Sequence, residues 1–347
     1  MWLHDAGYTT GLFGKYLNRY PFGGAPYVPP GWDRWAGKIQ GSGATVYYNY
    51  TVSEQGFPVA YDRGPGDYST DLFARAAVDF IRTAPADRPF FLMLAPTGPH
   101  SPWTPAPRDR DSWKGPVPEP PSVGERDVSD KPAWIQRLPT LDPATLAELR
   151  NGHRLQYETL GSVDDAVRSV VEALRARGAL GNTVIVYLSD NGYAYGEHRW
   201  ITKSCPYEEC IRTPFLVRMP GTEARTDERL VSSVDVAPTI ADIAGVDPAE
   251  PVDGVSLLPL LEGRKPAGGH AGVLSEYIGS RDVPGWWELR TADVAYVEYV
   301  TGERELYDIT GVLGSPDPFE LENRIGDPRY TALAARLAGQ LRALRAG

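Results

Sequence analysis

"TVIVYLSDNGYAYGEHRW", residues 183–200, places an acid, an amide and a glycine directly after a run of apolar residues. The apolar run, 183–188, is short and continuous, which is the form expected of a strand covered on both faces. Taken alone, Asp190-Asn191-Gly192 indicates a turn. Ligands gather at the carboxyl ends of strands in open α/β sheets, however, and a carboxylate beside an amide oxygen suits Ca²⁺ or Mg²⁺. Because calcium takes roughly six to eight oxygens, other ligands would have to come from elsewhere.

Strand-like apolar runs alternate with amphipathic helical patterns along the first part of the chain, which is typical of an α/β protein with a largely parallel sheet. The patterns predict strands within 89–100, 183–188 and 213–220, and helices over 69–84, 142–178 and 233–245. The glycines at 152 and 161 allow an interruption of the second helix.

The pattern changes after about residue 268, where short runs predict antiparallel strands. A final helix is expected from about residue 327, because four leucines stand in helical register, at positions 333, 337, 341 and 344. We therefore predict a catalytic α/β domain over 1–267 and a smaller subdomain over 268–347. Residues 101–141 are rich in proline and polar residues, which indicates a long surface excursion near a substrate rim.

Composition excludes several classes of protein. The 347 residues carry a net charge of −10, which argues against non-specific binding to nucleic acid. No apolar run approaches the roughly 20 residues that span a bilayer, and no signal segment stands at the beginning of the sequence. With 42% hydrophobic residues, the chain has enough apolar material for a large core. Nothing here sets the oligomeric state.

Three basic residues follow predicted strands at short distances and are candidates for an anion-binding crevice. Lys15 and Lys203 are two of only six lysines, and His100 lies just past the strand within 89–100. A lysine supplies a point charge to an anionic group, and an imidazole can protonate a leaving oxygen. Each residue has an ordinary alternative, since loop lysines are usually solvated and a histidine among prolines usually packs.

Two further groups near the opening stretch have open interpretations. Glu197-His198-Arg199 is either a solvated loop or the first turn of an excursion over the site. Cys205 and Cys210 are too few for a disulfide framework or a zinc site. Their spacing permits a local disulfide, and two free thiols are the other interpretation.

The combination of motifs resembles the sulfatase family. Residues 189–221, "SDNGYAYGEHRWITKSCPYEECIRTPFLVRMPG", are similar to the family signature around Asp-Asn-Gly, Gly-Glu-His, a lysine and Pro-Tyr-Glu-Glu. Other segments with family character follow the expected order: "GYTTGLFGKYLN", "APTGPHSPW", "SVDD", "DGVSLLPLL" and "ELYDITG" with "DPFELENR". Within the family, "GKYLN", "YYNYT" and "PHSPW" look most like the N-acetylglucosamine-6-sulfatase subgroup.

The resemblance implies an alkaline-phosphatase-like fold, with a parallel sheet between helices and a smaller C-terminal antiparallel sheet. It implies a sulfuric ester hydrolase acting on a sulfated sugar, commonly exported. Asp190 and Asn191 would be calcium ligands, while His100 and Lys203 would contact the sulfate. Lys15 would stabilise the charge of the nucleophile and of the sulfate.

The resemblance also implies that two further residues contact the substrate. His198 belongs to the Gly-Glu-His motif. Asn18 lies in the Tyr-Leu-Asn variant of the subgroup, where Leu17 replaces a histidine found in many sulfatases. Both residues are therefore expected to contact the substrate.

The sequence departs from the family in its decisive motif. The family nucleophile is a formylglycine made from Cys or Ser in Cys/Ser-x-Pro-x-Arg, and no such pattern occurs here. The nearest segment, 204–208, ends in Glu208 rather than arginine. The early strand with paired aspartates, which supplies further calcium ligands in the family, is also absent. We therefore expect an N-terminally truncated sequence with an incomplete calcium site, and a chain that aggregates when expressed alone.

Two other functions remain open from the sequence. One is a non-catalytic protein that binds sulfated glycans, with Trp103 and Trp286-Trp287 as stacking platforms. The other is a phosphoryl-transfer relative on the same fold, which the Gly-Glu-His and Pro-Tyr-Glu-Glu context disfavours. Turnover of a sulfate ester, with little on the matching phosphate ester, would separate these functions.

Overall fold

The computed structural model describes residues 1–40, 46–264 and 269–346. The first part of the chain contains strands β1 (Thr9–Gly14), β2 (Arg34–Lys38), β3 (Tyr50–Glu54), β4 (Phe57–Tyr61), β5 (Phe90–Ala95), β6 (Ile185–Leu188), β7 (Ala194–Tyr195), β8 (Ile201–Thr202) and β9 (Phe215–Arg218). Its helices are α1 (Trp2–Asp5), α2 (Ser69–Thr83), α3 (Ala133–Gln136), α4 (Pro143–Ala176), α5 (Glu208–Ile211), α6 (Val236–Ala244) and α7 (Leu258–Leu261). The C-terminal part contains β10 (Val273–Tyr277), β11 (Trp286–Arg290), β12 (Val294–Tyr299), β13 (Arg304–Asp308) and α8 (Thr331–Ala346).

The main sheet has five strands in the order β4-β3-β2-β1-β5. Strand β1 is parallel to both β2 and β5, whereas β3 and β4 are joined antiparallel at the other edge. The predicted α/β class is confirmed, and the sheet is mixed rather than largely parallel among the described strands. Apolar side chains of β1 and α2, including Phe13, Phe73 and Phe80, form a buried cluster between sheet and helix.

Helix α4 runs without interruption over 34 residues, so the expected break at its glycines is wrong. Both glycines serve close packing instead. A Cβ at Gly152 would lie 2.6 Å from the ring of Trp103, and one at Gly161 would lie 2.9 Å from the carboxyl carbon of Asp109. The helix begins where predicted, because the Asp142 side chain accepts a hydrogen bond from the Thr145 amide.

The C-terminal part is the predicted antiparallel sheet, in the order β10-β11-β12-β13, with α8 packed on it. Three leucines of α8, Leu333, Leu337 and Leu341, are buried against this sheet. The opposite face of the sheet packs against the segment that contains Tyr207. The proposed boundary between residues 267 and 268 lies outside the described residues.

Strands β6 and β9 form a separate antiparallel pair, and β5 is the last strand of the main sheet on its side. The prediction that β6 is covered on both faces is wrong within the described chain. Tyr187 and Leu216 are cross-strand partners and are 37% and 59% exposed. Met93, on β5, is also exposed. Open strand edges and exposed apolar side chains therefore occur together, which favours association between chains.

We predict that the 347-residue chain self-associates through this region. Leu216→Lys should shift the chain toward the monomer, because it places a charge on the exposed apolar face. Ile278→Lys is the matched control. Ile278 is 97% exposed, and it directly follows β10 of the C-terminal sheet, which is separate from the β6–β9 pair. Light scattering across a dilution series measures the effect. If both variants associate as strongly as the unmodified chain, the association does not involve the apolar face around Leu216.

Candidate functional site

The ends of β1 and β5 approach each other closely and set the position of Lys15. The Lys15 amide donates to the Ala95 carbonyl over 2.7 Å. Gly14 has φ +124°, and a Cβ there would lie 1.9 Å from the same carbonyl oxygen. Only glycine fits this approach, because any side chain would meet backbone. Lys15 is thereby fixed at the carboxyl end of two adjacent parallel strands.

Two ammonium groups meet the acid and the amide that follow β6. Lys15 Nζ lies 3.4 Å from Asp190 Oδ2, and Lys203 Nζ lies 3.4 Å from Asn191 Oδ1. Four of the predicted site residues are thus brought together from three separate segments of the chain. We call this group the crevice. Both contacts are longer than an ordinary hydrogen bond, and the Asp190 side chain is 70% exposed. Its oxygens therefore remain open to another ligand.

The turn after β6 is held against the segment that follows Lys203. The Gly192 amide donates to the Cys210 carbonyl over 2.9 Å, and a Cβ at Gly192 would lie 2.0 Å from the Glu209 carbonyl oxygen. Cys205 and Cys210 form a disulfide, which settles the two interpretations of their spacing. The covalent loop begins two residues after Lys203 and supports the turn that carries Asn191.

Indole groups fix the backbone around Lys203. Trp200 Nε1 donates to the Lys203 carbonyl, and Trp286 Nε1 donates to the Ser204 carbonyl, each over 3.0 Å. Trp286 is only 3% exposed. Its ring therefore supports the loop from inside the protein and is not a surface platform for a sugar.

His100 follows β5 and is exposed, as a residue that contacts substrate must be. Its Nδ1 lies 2.6 Å from the Ser101 carbonyl oxygen, so Nδ1–H donates there. Tyr47 Oη donates to the His100 carbonyl over 2.5 Å, which anchors the backbone. Within the described residues, no hydrogen bond or ion pair joins His100 to the four residues of the crevice. The expectation that His100 and Lys203 both contact the sulfate stays a prediction.

Asn18 and His198 lie apart from the crevice contacts. Asn18 is exposed, and its Oδ1 accepts from Gln40 Nε2 over 3.2 Å. His198 has no exposed surface, and its Nδ1 lies 2.7 Å from Glu125 Oε2. Burial lowers the pKa of His198 to about 3. The expected substrate contact of His198 does not agree with this location, because the ring is enclosed by Glu125 and Tyr207.

The Glu197-His198-Arg199 segment turns inward, not into solvent. Glu197 is 6% exposed, and its Oε2 accepts a hydrogen bond from the Tyr195 amide. Arg199 Nε donates to the Glu125 carbonyl over 2.8 Å. Residues 101–141 are likewise not only a surface excursion, since Glu125, with Lys131 and Trp134, is buried. The compositional pattern of that segment concealed these long-range contacts.

Lys38 is a basic residue near the crevice to which the sequence alone assigned no role. It ends β2, the strand next to β1, and its Nζ donates to the Val46 carbonyl over 2.7 Å. Burial, and secondarily the charge of Lys15, lowers the pKa of Lys38 to about 8. Its place beside Lys15 depends on the pairing of β2 with β1, which local sequence patterns do not show.

The ligand atoms that the crevice offers are of the chemical type that calcium prefers. Asp190 and Asn191 offer two hard oxygens, each now facing an ammonium group over a long contact. A formylglycine, in contrast, does not fit the residues present. The nearest segment contains Cys205, whose sulfur is bonded to Cys210.

Two family models match the chain. The model described as Sulfatase matches residues 1–246, and that described as N-sulphoglucosamine sulphohydrolase, C-terminal, matches 196–347. The family resemblance identified from the sequence motifs is thereby confirmed. No helix within the described residues is long and apolar enough to cross a membrane.

Relatives of known name support the same family. N-acetylglucosamine-6-sulfatase of Homo sapiens is 38% identical over 282 residues, covering 79% of this chain and 50% of the relative. The extracellular sulfatase SULF-1 homolog of Drosophila melanogaster is 38% identical over 277 residues, covering 77% of this chain and 24% of that protein. The match with this chain therefore spans 50% of the human relative and 24% of the Drosophila relative.

A solved structure shares the fold over nearly the whole chain. It is described as a complex with its substrate D-glucosamine-2-N,6-O-disulfate. The TM-score is 0.80 at 25% identity, with 99% of this chain and 80% of the other covered.

We predict that Gly192→Ala destabilises the protein by about 1–3 kcal/mol, because the added methyl group would meet the Glu209 carbonyl. Gly181→Ala is the matched control. Gly181 lies in a single 3-10 turn, and a Cβ there has no neighbour within 4 Å. Neither glycine has a positive φ, so the pair isolates the close approach. Chemical denaturation measures the difference, and equal stability of the two variants would contradict it.

Because the pKa of Lys38 is lowered in the folded protein, we predict that the stability of the protein depends on pH. Its folded-state pKa of about 8 lies below the ordinary value of 10.5, so the unfolded chain binds more protons between these pH values. The free energy of unfolding of the unmodified chain should rise, relative to Lys38→Met, by on the order of 1–3 kcal/mol between pH 7 and 10. Lys114→Met, at an exposed lysine, is the control. A difference that does not change with pH would contradict the prediction.

Proposed function

The chain belongs to the sulfatase family, and on that premise we propose that the whole protein hydrolyses sulfate esters. The observation that carries the proposal is the convergence of Lys15 and Lys203 on Asp190 and Asn191, at the carboxyl ends of β1 and β6. Two ammonium groups beside an exposed carboxylate and amide can bind an anionic sulfate ester together with a cation. Ligands are expected at this edge of an α/β sheet.

We infer that the substrate is a sulfated sugar that contains a 6-O-sulfated glucosamine unit. The identity with the human N-acetylglucosamine-6-sulfatase and the fold shared with the glucosamine disulfate complex support this inference. An exported location is proposed because the Drosophila relative is named an extracellular sulfatase. The division into a catalytic domain over 1–267 and a subdomain over 268–347 is also a proposal.

Lys15 and Lys203 would bind and orient the sulfate. Fixed positive charges stabilise the negative charge that develops on the sulfate oxygens and the leaving oxygen as the ester breaks. Both are held before substrate arrives, Lys15 by its amide on Ala95 and Lys203 by the indole of Trp200 on its carbonyl. Such preorganisation reduces the rearrangement that the reaction itself requires.

His100 would hold a proton for the departing sugar oxygen. Since Nδ1–H donates to the Ser101 carbonyl, Nε2 is the atom directed to other partners. Nε2 carries a proton only when the ring is doubly protonated. In that form His100 acts as a general acid toward the leaving group.

Asp190 and Asn191 are the residues that would hold calcium. When bound, calcium would neutralise charge on the sulfate oxygens. The ammonium groups of Lys15 and Lys203 would then leave the side-chain oxygens of Asp190 and Asn191 and contact the sulfate. Asn18 remains a proposed substrate contact at the exposed end of the segment after β1.

The test is sulfate ester hydrolysis by the whole protein, made in its native organism. We expect turnover of N-acetylglucosamine 6-sulfate, with little turnover of the corresponding 6-phosphate. Lys203→Ala should lower kcat/KM by about 10²–10³-fold, because it removes a charge that contacts the developing anion. Lys114→Ala, at an exposed lysine distant in sequence from the crevice segments, should change it less than about twofold.

The outcomes separate the competing functions. Saturable binding of the sulfated sugar without turnover would favour a non-catalytic glycan-binding protein. Preferential turnover of the phosphate ester would favour the phosphoryl-transfer relative. Equal activity of the Lys203→Ala and Lys114→Ala variants would contradict the role of the crevice.

A further inference from the structure

A second cluster of potential ligands is buried inside the protein. One ring nitrogen of His198, one oxygen of Glu209 and one oxygen of Glu320 lie within 4.8 Å of one another. Within the described residues, His198 Nε2, Glu209 Oε2 and Glu320 Oε1 have no hydrogen-bond partner. His198 and Glu320 are 0% and 1% exposed. Buried polar atoms are normally partnered, so three unpartnered atoms in one place call for a ligand.

The remaining polar atoms of the two carboxylates are already held. Ser122 Oγ donates to Glu209 Oε1 over 3.3 Å, and the Glu208 amide donates to Glu320 Oε2 over 2.9 Å. Each carboxylate is therefore fixed through one oxygen and presents the other to the cluster. This division of roles orients the free oxygens before any ligand binds.

The imidazole is oriented in the manner of a metal ligand. Nδ1 of His198 donates to Glu125 Oε2 over 2.7 Å, which leaves the lone pair of Nε2 directed away from Glu125. Metal-bound histidines usually donate their other N–H to a carboxylate or carbonyl in this way. Lys131 Nζ lies 3.8 Å from the second oxygen of Glu125 and balances its charge.

The surroundings concentrate negative charge with little solvent. Burial raises the pKa of Glu209 and of Glu320, and the charge of Glu288 raises that of Glu320 further. Neither carboxylate oxygen of Glu288 has a hydrogen-bond partner in the described chain. Protons can neutralise such a group, and a divalent cation can do so while also satisfying the unpartnered atoms.

We propose that His198, Glu209 and Glu320 bind a divalent transition-metal ion, with Zn²⁺ as the best match. One imidazole nitrogen and two carboxylate oxygens form a mixed N/O donor set that zinc accepts. Calcium and magnesium prefer oxygen ligands alone, which separates this centre chemically from Asp190 and Asn191. A water molecule would complete the coordination.

The ion would act as a structural link. Glu209 belongs to α5, within the disulfide loop that follows Lys203, whereas Glu320 belongs to the segment between β13 and α8. A metal at this point joins the C-terminal part to the loop that supports the crevice. Binding only to the folded state would raise the stability of that junction.

The test is the metal content of the whole protein purified without added metal or chelator, measured by mass spectrometry. We expect about one zinc per chain, lost in His198→Gln and in Glu320→Gln. Glu322→Gln is the matched control, because Glu322 is an exposed carboxylate two residues from Glu320. This control should retain the metal.

A second measurement avoids reliance on variants that fold poorly. With excess Ca²⁺ present throughout to keep the crevice occupied, removal of zinc from the unmodified protein at pH 7 should lower its Tm by about 5 °C, and added Zn²⁺ should restore it. Cobalt substitution should give a visible absorption spectrum that changes in Glu209→Gln. Protein without stoichiometric metal that also shows no change in Tm with Zn²⁺ would overturn the proposal, leaving a proton-sharing cluster. Neither result depends on sulfatase turnover.

Discussion

The close approach of β1 to β5 is the constraint on which the site depends. Gly14 permits the Lys15 amide to reach the Ala95 carbonyl, and this contact sets where the ammonium group of Lys15 can stand. Asp190 meets that ammonium group from the end of a third strand, β6. The charge distribution at this edge of the sheet is therefore a consequence of backbone packing, in which no side chain larger than hydrogen fits at residue 14.

The C-terminal part stabilises the site from behind. Trp286 holds the backbone after Lys203, and Tyr207 Oη donates to the buried carboxyl of Glu305 on β13. The disulfide of Cys205 and Cys210 lies between these two contacts in the chain. Buried carboxyl groups at this junction are costly unless they are protonated or bound to a cation. A second metal centre would explain why His198 and the acidic residues around it are enclosed.

The sequence predicted those features that depend on local patterns. Helix α2 follows from apolar spacing, and the start of α4 follows from its capping residue Asp142. The position of Asp190 after β6 follows from a short apolar run. The rule that ligands gather at carboxyl ends of strands made Asp190, Lys203 and Lys15 candidates for a site, but not the contact of Lys15 with Asp190. The burial of His198 was not anticipated, because Glu125 lies 73 residues earlier in an irregular segment. Lys38 was missed for the same reason, since the order of strands in a sheet is not written in local periodicity.

The central claim is that the crevice binds an anion and a cation together. The most direct measurement is a crystal structure of the whole protein grown with calcium and inorganic sulfate. We expect calcium on Asp190 and Asn191, with sulfate within hydrogen-bond distance of Lys15 and Lys203. A structure in which both lysines stay on Asp190 and Asn191, with calcium and sulfate bound elsewhere, would contradict it.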